Sequence, residues 1–169
     1  MHDTLEGTLK LDICCTINHV LETKRMSLSE INERIKMFSK YVGVNKPARI
    51  DQKHINKFKL RLTAAEALNL AYILPFVLRK KNFKTGQVES VCDKKNLLML
   101  MLRLNLTDLL LSETITFADM FHIEHLTEVH HKLFQELYPG REIPKMHFEL
   151  HFRTHILLYG PPRQYWCMR

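Results

Sequence analysis

Three histidines carry the first suggestion of chemistry. His147, His151 and His155 fall at i, i+4 and i+8, so a helix would present all three on one face. Two imidazoles one turn apart can hold a metal ion, and H-E-x-x-H is the zinc-protease form of that spacing. Here Phe148 follows His147 and Glu149 comes second, which misplaces the general base. Three ligands spread over two turns also reach too far for one ion. His122, His125, His130 and His131 form a second group near Glu124 and Glu128, but no Cys or Asp completes a zinc-ligand spacing. Both groups are read as packing or surface histidines, with no metal and no other cofactor. Glu30, Glu33, Glu66 and Glu113 sit where helices should start or stop, which suits capping and solvation. There is no Gly-rich phosphate loop, G-x-S-x-G elbow or Cys–His nucleophile pattern. The sequence therefore offers no catalytic residue, and the chain is expected not to be an enzyme.

The stronger candidate is electrostatic. Between Lys46 and Arg61, six of sixteen residues are cationic: Lys46, Arg49, Lys53, Lys57, Lys59 and Arg61. Asp51 is the one acid among them, and Phe58 supplies a ring for stacking. A mobile positive strip is enough for contact with phosphates. The whole chain carries a formal charge of +7 with a pI near 9.3, which suits nucleic acid or an acidic surface without selecting between them. The competing reading is a solvated loop.

The elements that must position these residues follow from composition and periodicity. The 169 residues fit one domain, 1–169, and 46% hydrophobic content is that of a globular chain. Leucine and methionine number 34 against 18 valines and isoleucines, a balance that favours helices because β-branched side chains lose rotamer freedom there. The expected fold is all-α, an irregular bundle of about six helices with one long basic loop near residues 39–61. Leu9, Ile13, Ile17 and Leu21 mark a first helix. Ser27 with Glu30 and Thr63 with Glu66 have the spacing of capping boxes. Pro75 should kink the helix that Thr63 starts, and Arg79, Lys80 and Lys81 should lie at its C-terminal end.

Leu97–Leu111 is apolar nearly all round and is read as the central helix; the helix that contains Leu98, Leu102 and Leu109 should be the most buried one. It is too short, and with Arg103 and Asp108 too charged, to span a bilayer. A further helix from about Thr116 to Tyr138 should bury Leu126, Val129, Leu133 and Leu137. Pro144 should begin the last one, which Gly160-Pro161-Pro162 ends. Cys14, Cys15, Cys92 and Cys167 have no ligand or disulfide spacing, and His2, Asp3 and Glu6 do not open a secretory signal. These features point to a reducing compartment, nuclear or cytoplasmic, and to no membrane.

Two stretches also resemble a family. Ile143-Pro-Lys-Met-His147-Phe-Glu-Leu-His151, then Leu158-Tyr-Gly160-Pro-Pro-Arg163-Gln-Tyr-Trp166-Cys-Met-Arg169, resembles the C-terminal part of CACTA-type (En/Spm-like) DNA transposases. Met1-His2-Asp3-Thr4-Leu5-Glu6-Gly7 is similar to that family's His-Asp-x-Leu-Glu-Gly segment. Lys46-Pro-Ala-Arg-Ile50, Thr63-Ala-Ala-Glu66 and His130-His-Lys-Leu-Phe134 fall in the family's order. Such transposases carry three acidic metal ligands on an RNase H-like core, commonly interrupted by a helical insertion. The resemblance implies that this chain is the insertion with the core's edges and without the core. Asp3 and Glu6 are the acids in the matching motifs. Two-metal chemistry needs carboxylates that converge on ions about 4 Å apart, which these two cannot supply alone.

The implied function is a non-catalytic transposase remnant that binds DNA weakly and without sequence preference, or serves assembly. The alternative is a host protein–protein interaction module. As an insertion, the chain should bring Met1 and Arg169 close together. Tyr165, Trp166 and Met168 should form an exposed apolar end suited to self-association, or fold back near Leu5 and Leu9.

Overall fold

Leu9, Ile13 and Ile17 recur every fourth residue, and α1 (Leu9–Glu22) buries all three. The structure, a computed structural model, describes residues 4–81 and 86–165; Tyr165 is described by its backbone alone. The expectations for Met1, Trp166, Met168 and Arg169, and for the Tyr165 side chain, lie outside those residues. A π-helical turn, Thr4–Thr8, runs directly into α1. At its other end α1 closes in a Schellman motif: Arg25 N–H donates to Val20 O and Lys24 N–H to Leu21 O, with Lys24 at φ 54°.

Ser27 caps α2 (Leu28–Phe38) by accepting from Glu30 N–H. The return half of that box is not made, because the Glu30 carboxylate lies instead beside Arg34 and Lys80. A 3₁₀ turn, Ser39–Tyr41, follows, and then α3 (Gln52–Asn56). At α4 (Ala64–Val77) the Thr63–Glu66 box is complete, and the helix runs through Pro75 for two more residues. Arg79, Lys80 and Lys81 do not extend α4. They form β1 (Arg79–Lys81), paired antiparallel with β2 (Val88–Ser90) in the register Lys80 to Glu89. Arg34 steadies this hairpin from α2 by donating to the carbonyls of Val77 and Arg79.

Helix α5 (Lys94–Leu110) and helix α6 (Phe117–Leu137) make the most extensive helix pair among the described elements. Thr116 caps α6 in a full box with Asp119, the shorter acid taking the place of the usual Glu. The last expected helix is divided into α7 (Pro144–Glu149) and α8 (Phe152–Tyr159), followed by the short α9 (Pro162–Tyr165). The fold is all-α apart from the two-stranded hairpin, as composition implies, and it has more and shorter helices than expected among the described residues.

The stripe expected in α6 is displaced, and the inward face of α5 is not apolar throughout. In α5, Leu98 is 51% exposed and Leu102 and Leu109 are half-buried, while Met99, Leu100, Arg103, Leu104, Leu106, Thr107 and Leu110 face inward. In α6, Leu126 is buried, but Val129, Leu133 and Leu137 are only half-covered, and Ile123, Thr127, His130 and Phe134 take the centre. In each case the helix is turned so that a polar or charged residue occupies the core. The main apolar cluster joins α1, α2, α4 and the start of α5. A second joins the end of α5 to α6 and α8, and a third sets Leu11, Cys15, Met99, Phe134 and Met146 together. Each fully buried Leu or Phe in them contributes roughly 1.5–3 kcal/mol.

Candidate functional site

The basic segment is anchored rather than loose. Pro47, Ile50, Ile55, Leu60 and Leu62 are buried, so every few residues an apolar side chain ties it to the core. Ile50 is fixed at its backbone as well. Its N–H donates to Asn32 Oδ1 at 2.8 Å, and its carbonyl accepts from Asn32 Nδ2 at 2.9 Å. Helix α3 ends in a second Schellman motif, with Lys59 N–H on His54 O, Phe58 N–H on Ile55 O and Phe58 at φ 49°. Helix α3 and that turn interrupt the expected loop from 39 to 61.

Lys46, Arg49, Lys53, Lys57, Lys59 and Arg61 are all exposed. The structure does not gather them at one place. Lys46 and Arg49 line a groove beside α2 with Lys36 and Lys40. Lys59 lines a different groove with Lys10 and Lys145. Lys53 stands 3.8 Å from the Asp51 carboxylate, a surface pair worth little. The proposed stacking ring is occupied, since the Arg141 guanidinium lies 3.9 Å from the Phe58 ring centre. Tyr41, just before this segment, is 83% exposed.

A second constellation is wholly interior. Arg103, at 0% exposure, donates from Nε to Asp12 Oδ2 at 2.6 Å and from Nη1 to both Glu149 oxygens at 2.8 and 2.9 Å. Its Nη2 faces His130 Nδ1 at 3.2 Å, while His130 Nε2 lies 2.9 Å from Asp12 Oδ2. An arginine can only donate, so Nδ1 must accept and the proton sits on Nε2, where it is given to Asp12. Glu149 also accepts from Thr8 Oγ1 at 2.6 Å and contacts His131 Nε2 at 3.1 Å. The network thus joins the Thr4–Thr8 turn, α1, α5, α6 and α7. The His130 and Phe134 rings stack beside it, 6.2 Å between centres.

Burial pushes the Asp12 carboxyl up, but His130 and Arg103 more than reverse this and hold it below its usual range. Burial likewise raises Glu149, yet the Arg103 charge and the hydrogen bonds from His131, Thr8 and Arg103 bring it down to about 2. Burial and the adjacent guanidinium both lower His130, against the pull of Asp12, which keeps its imidazole neutral at pH 7. The Arg103 guanidinium loses hydration on burial, but the two carboxylates more than restore its proton affinity. The carboxylates are committed to Arg103 and closed to solvent. This arrangement can hold five elements in register; it leaves no face for a substrate.

Sequence reading missed this network, although a signal was present. Arg103 interrupts the apolar run Leu97–Leu104 and Asp12 stands among Leu11, Ile13 and Cys14, with opposite signs; Glu149, flanked by His147 and His151, carried no such signal. His147, His151 and His155 are exposed, and although the helix is interrupted at Leu150 and His151 their rings still follow one another along one side. The His147 and His151 ring centres are 5.1 Å apart, those of His151 and His155 6.4 Å. Among the described residues no group of three His, Cys, Asp or Glu side chains is placed to hold a metal. Cys14, Cys15 and Cys92 are free thiols, and burial pushes Cys14 and Cys92 up to about 12. No described helix is long and apolar enough to cross a membrane. Comparison of the chain with protein families, with curated proteins and with solved structures finds no match.

Proposed function

We propose that this chain is a non-catalytic, helical remnant of a DNA transposase, acting in the nucleus or cytoplasm, that holds nucleic acid weakly and without sequence preference. The observation that carries the binding role is the combination of exposed cations with a pinned backbone in the segment from Lys46 to Arg61. Cations held this way lose little freedom on meeting phosphates, and phosphate contacts carry no sequence information. The order of motifs along the chain supports the origin. The pairing of Asp12 and Glu149 with Arg103 supports the absence of catalysis, because both carboxylates are sealed from solvent beside a fixed cation.

Titration of a labelled 20-base-pair duplex over a range of salt tests the reading. If about 4 phosphates are neutralised, log affinity should fall with log salt at a slope of roughly −3 to −4. Replacing Lys46, Arg49, Lys53, Lys57 and Lys59 by Gln should flatten that slope, and an unchanged slope removes the segment from the reading. The second reading is a host protein-interaction module, and it draws on the exposed α8 side chains Leu157, Leu158 and Tyr159. Self-association of the chain with no nucleic-acid binding at any salt would favour it.

A further inference from the structure

The groove that receives Lys46 and Arg49 has a composition that duplex binding does not require. It lies between α2 and the Lys46–Arg49 stretch and encloses about 590 Å³. Its floor includes Ile35 and Pro47, both buried, and its rim carries Lys36, Lys40, Lys46 and Arg49. Glu33 is the carboxylate that also lines it, so four cations outnumber one acid. The connection between α2 and Lys46 is tethered on both sides. Ser39 Oγ donates to Ile35 O at 2.6 Å, and Asn69 Nδ2 donates to Val42 O and Asn45 O at 3.3 and 2.7 Å. On this tethered stretch, next in sequence to Lys40, Tyr41 is held out to solvent.

We infer that this groove takes a segment of single-stranded nucleic acid, with phosphates on the four cations and bases over the carbon floor and the Tyr41 ring. The inference rests on the nucleic-acid reading above and narrows it. A duplex offers phosphates on a convex surface and keeps its base faces stacked inside, so it would meet the rim and leave the recessed floor unused. A single strand has base faces to spare, and a positive groove with an aromatic platform is how such strands are held without regard to sequence. An acidic peptide would also answer the charge of the rim. The apolar floor between the cations gives base faces a seat that a charged peptide does not need, and that favours the strand.

The test compares a labelled 20-nucleotide mixed-sequence strand with its own 20-base-pair duplex at equal salt. The single strand should bind at least ~5-fold tighter. Its salt slope should be roughly −3, at about 0.7 per phosphate for four phosphates. The groove variant K36Q/K40Q/K46Q/R49Q should lose the preference and flatten the slope. All four side chains are exposed, so its melting temperature should not move. Tyr41→Ser should weaken the single strand about 3-fold and leave the slope alone, which separates stacking from charge. Equal binding of strand and duplex overturns the inference. So does a groove variant that keeps the preference, or a Glu/Leu helical peptide that binds the groove when the strand does not. If K53Q/K57Q/K59Q/R61Q abolishes binding while the groove variant changes nothing, the general reading stands and this one falls. If neither nucleic acid binds at any salt, both fall.

Discussion

Arg103 and Arg49 are the same residue type in opposite circumstances. Arg103 is sealed inside five elements and spends four donor contacts on Asp12, Glu149 and His130. Arg49 stands at the rim of a groove with no carboxylate in ion-pair reach among the described residues. An interior charge that has found its partners does work for the fold and has nothing left for a ligand. A rim charge contributes little to the fold, and its field remains available to whatever approaches. In this chain the two kinds of charge are well separated, so each can be altered with little effect on the other.

The largest effect should come from breaking the interior set. Arg103→Met leaves Asp12 and Glu149 buried without their cation, and urea unfolding should show a loss of about 3–5 kcal/mol. Arg49→Met should stay within about 0.5 kcal/mol by the same measurement. Equal losses would dissolve the contrast. The variant D12N/R103M/E149Q removes charge from all three places at once, and it should recover much of what the single change costs, since no ion is then stranded.

Acid provides the next break. The usual value for Glu149 is 4.5 and the fold holds it at about 2. A carboxyl depressed by folding contributes fully above its unfolded value, and the contribution is lost as pH falls through the folded one. At about 1.4 kcal/mol per pH unit, Glu149 is therefore expected to contribute about 3 kcal/mol at pH 5 that disappears towards pH 2. Asp12 works in the same sense below its ordinary 3.8. His130 is also depressed, from 6.5, so its contribution is complete above 6.5 and declines as acid forces a proton onto the buried ring. Denaturation midpoints should begin to fall below pH 6.5 and fall more steeply below 4.5. A flat profile from pH 7 to 4 would show that the network is not charged as described. The smallest effect belongs to the surface caps: Thr63→Ala and Thr116→Ala should each cost about 1 kcal/mol, with no change in nucleic-acid binding.

Helix positions were legible wherever a cap and a stripe agreed. Thr63 with Glu66 fixed the start of α4, and four-residue steps marked α1. The facing of α5 and α6 was not legible from apolar residues alone. A helix that is apolar all round has no unique inward face by hydropathy, and here Arg103 and His130 decide it by seeking Asp12. Likewise, six cations in sixteen residues identified a positive segment, but chain order could not show that Lys46 and Arg49 join Lys36 and Lys40 while Lys59 turns elsewhere. Two Schellman turns on non-glycine residues, at Lys24 and Phe58, were invisible for a simpler reason: glycine is the usual sign of that geometry, and it is absent from both.

The interior network also has a consequence in time. Asp12 is made before its partners: Arg103 follows 91 residues later, and Glu149 comes 46 residues after that. At about 5–20 residues per second, roughly 7–27 s separate the first carboxylate from the last. Until α7 leaves the ribosome, Arg103 can meet Asp12 but not Glu149, and the Thr8 hydroxyl waits for a partner 141 residues downstream. The helices that precede α6 can form as they emerge, since the hydrogen bonds within a helix are local. Their final register cannot be set until α7 has been made, so the last step of folding is the closing of a lock whose parts lie far apart in the sequence.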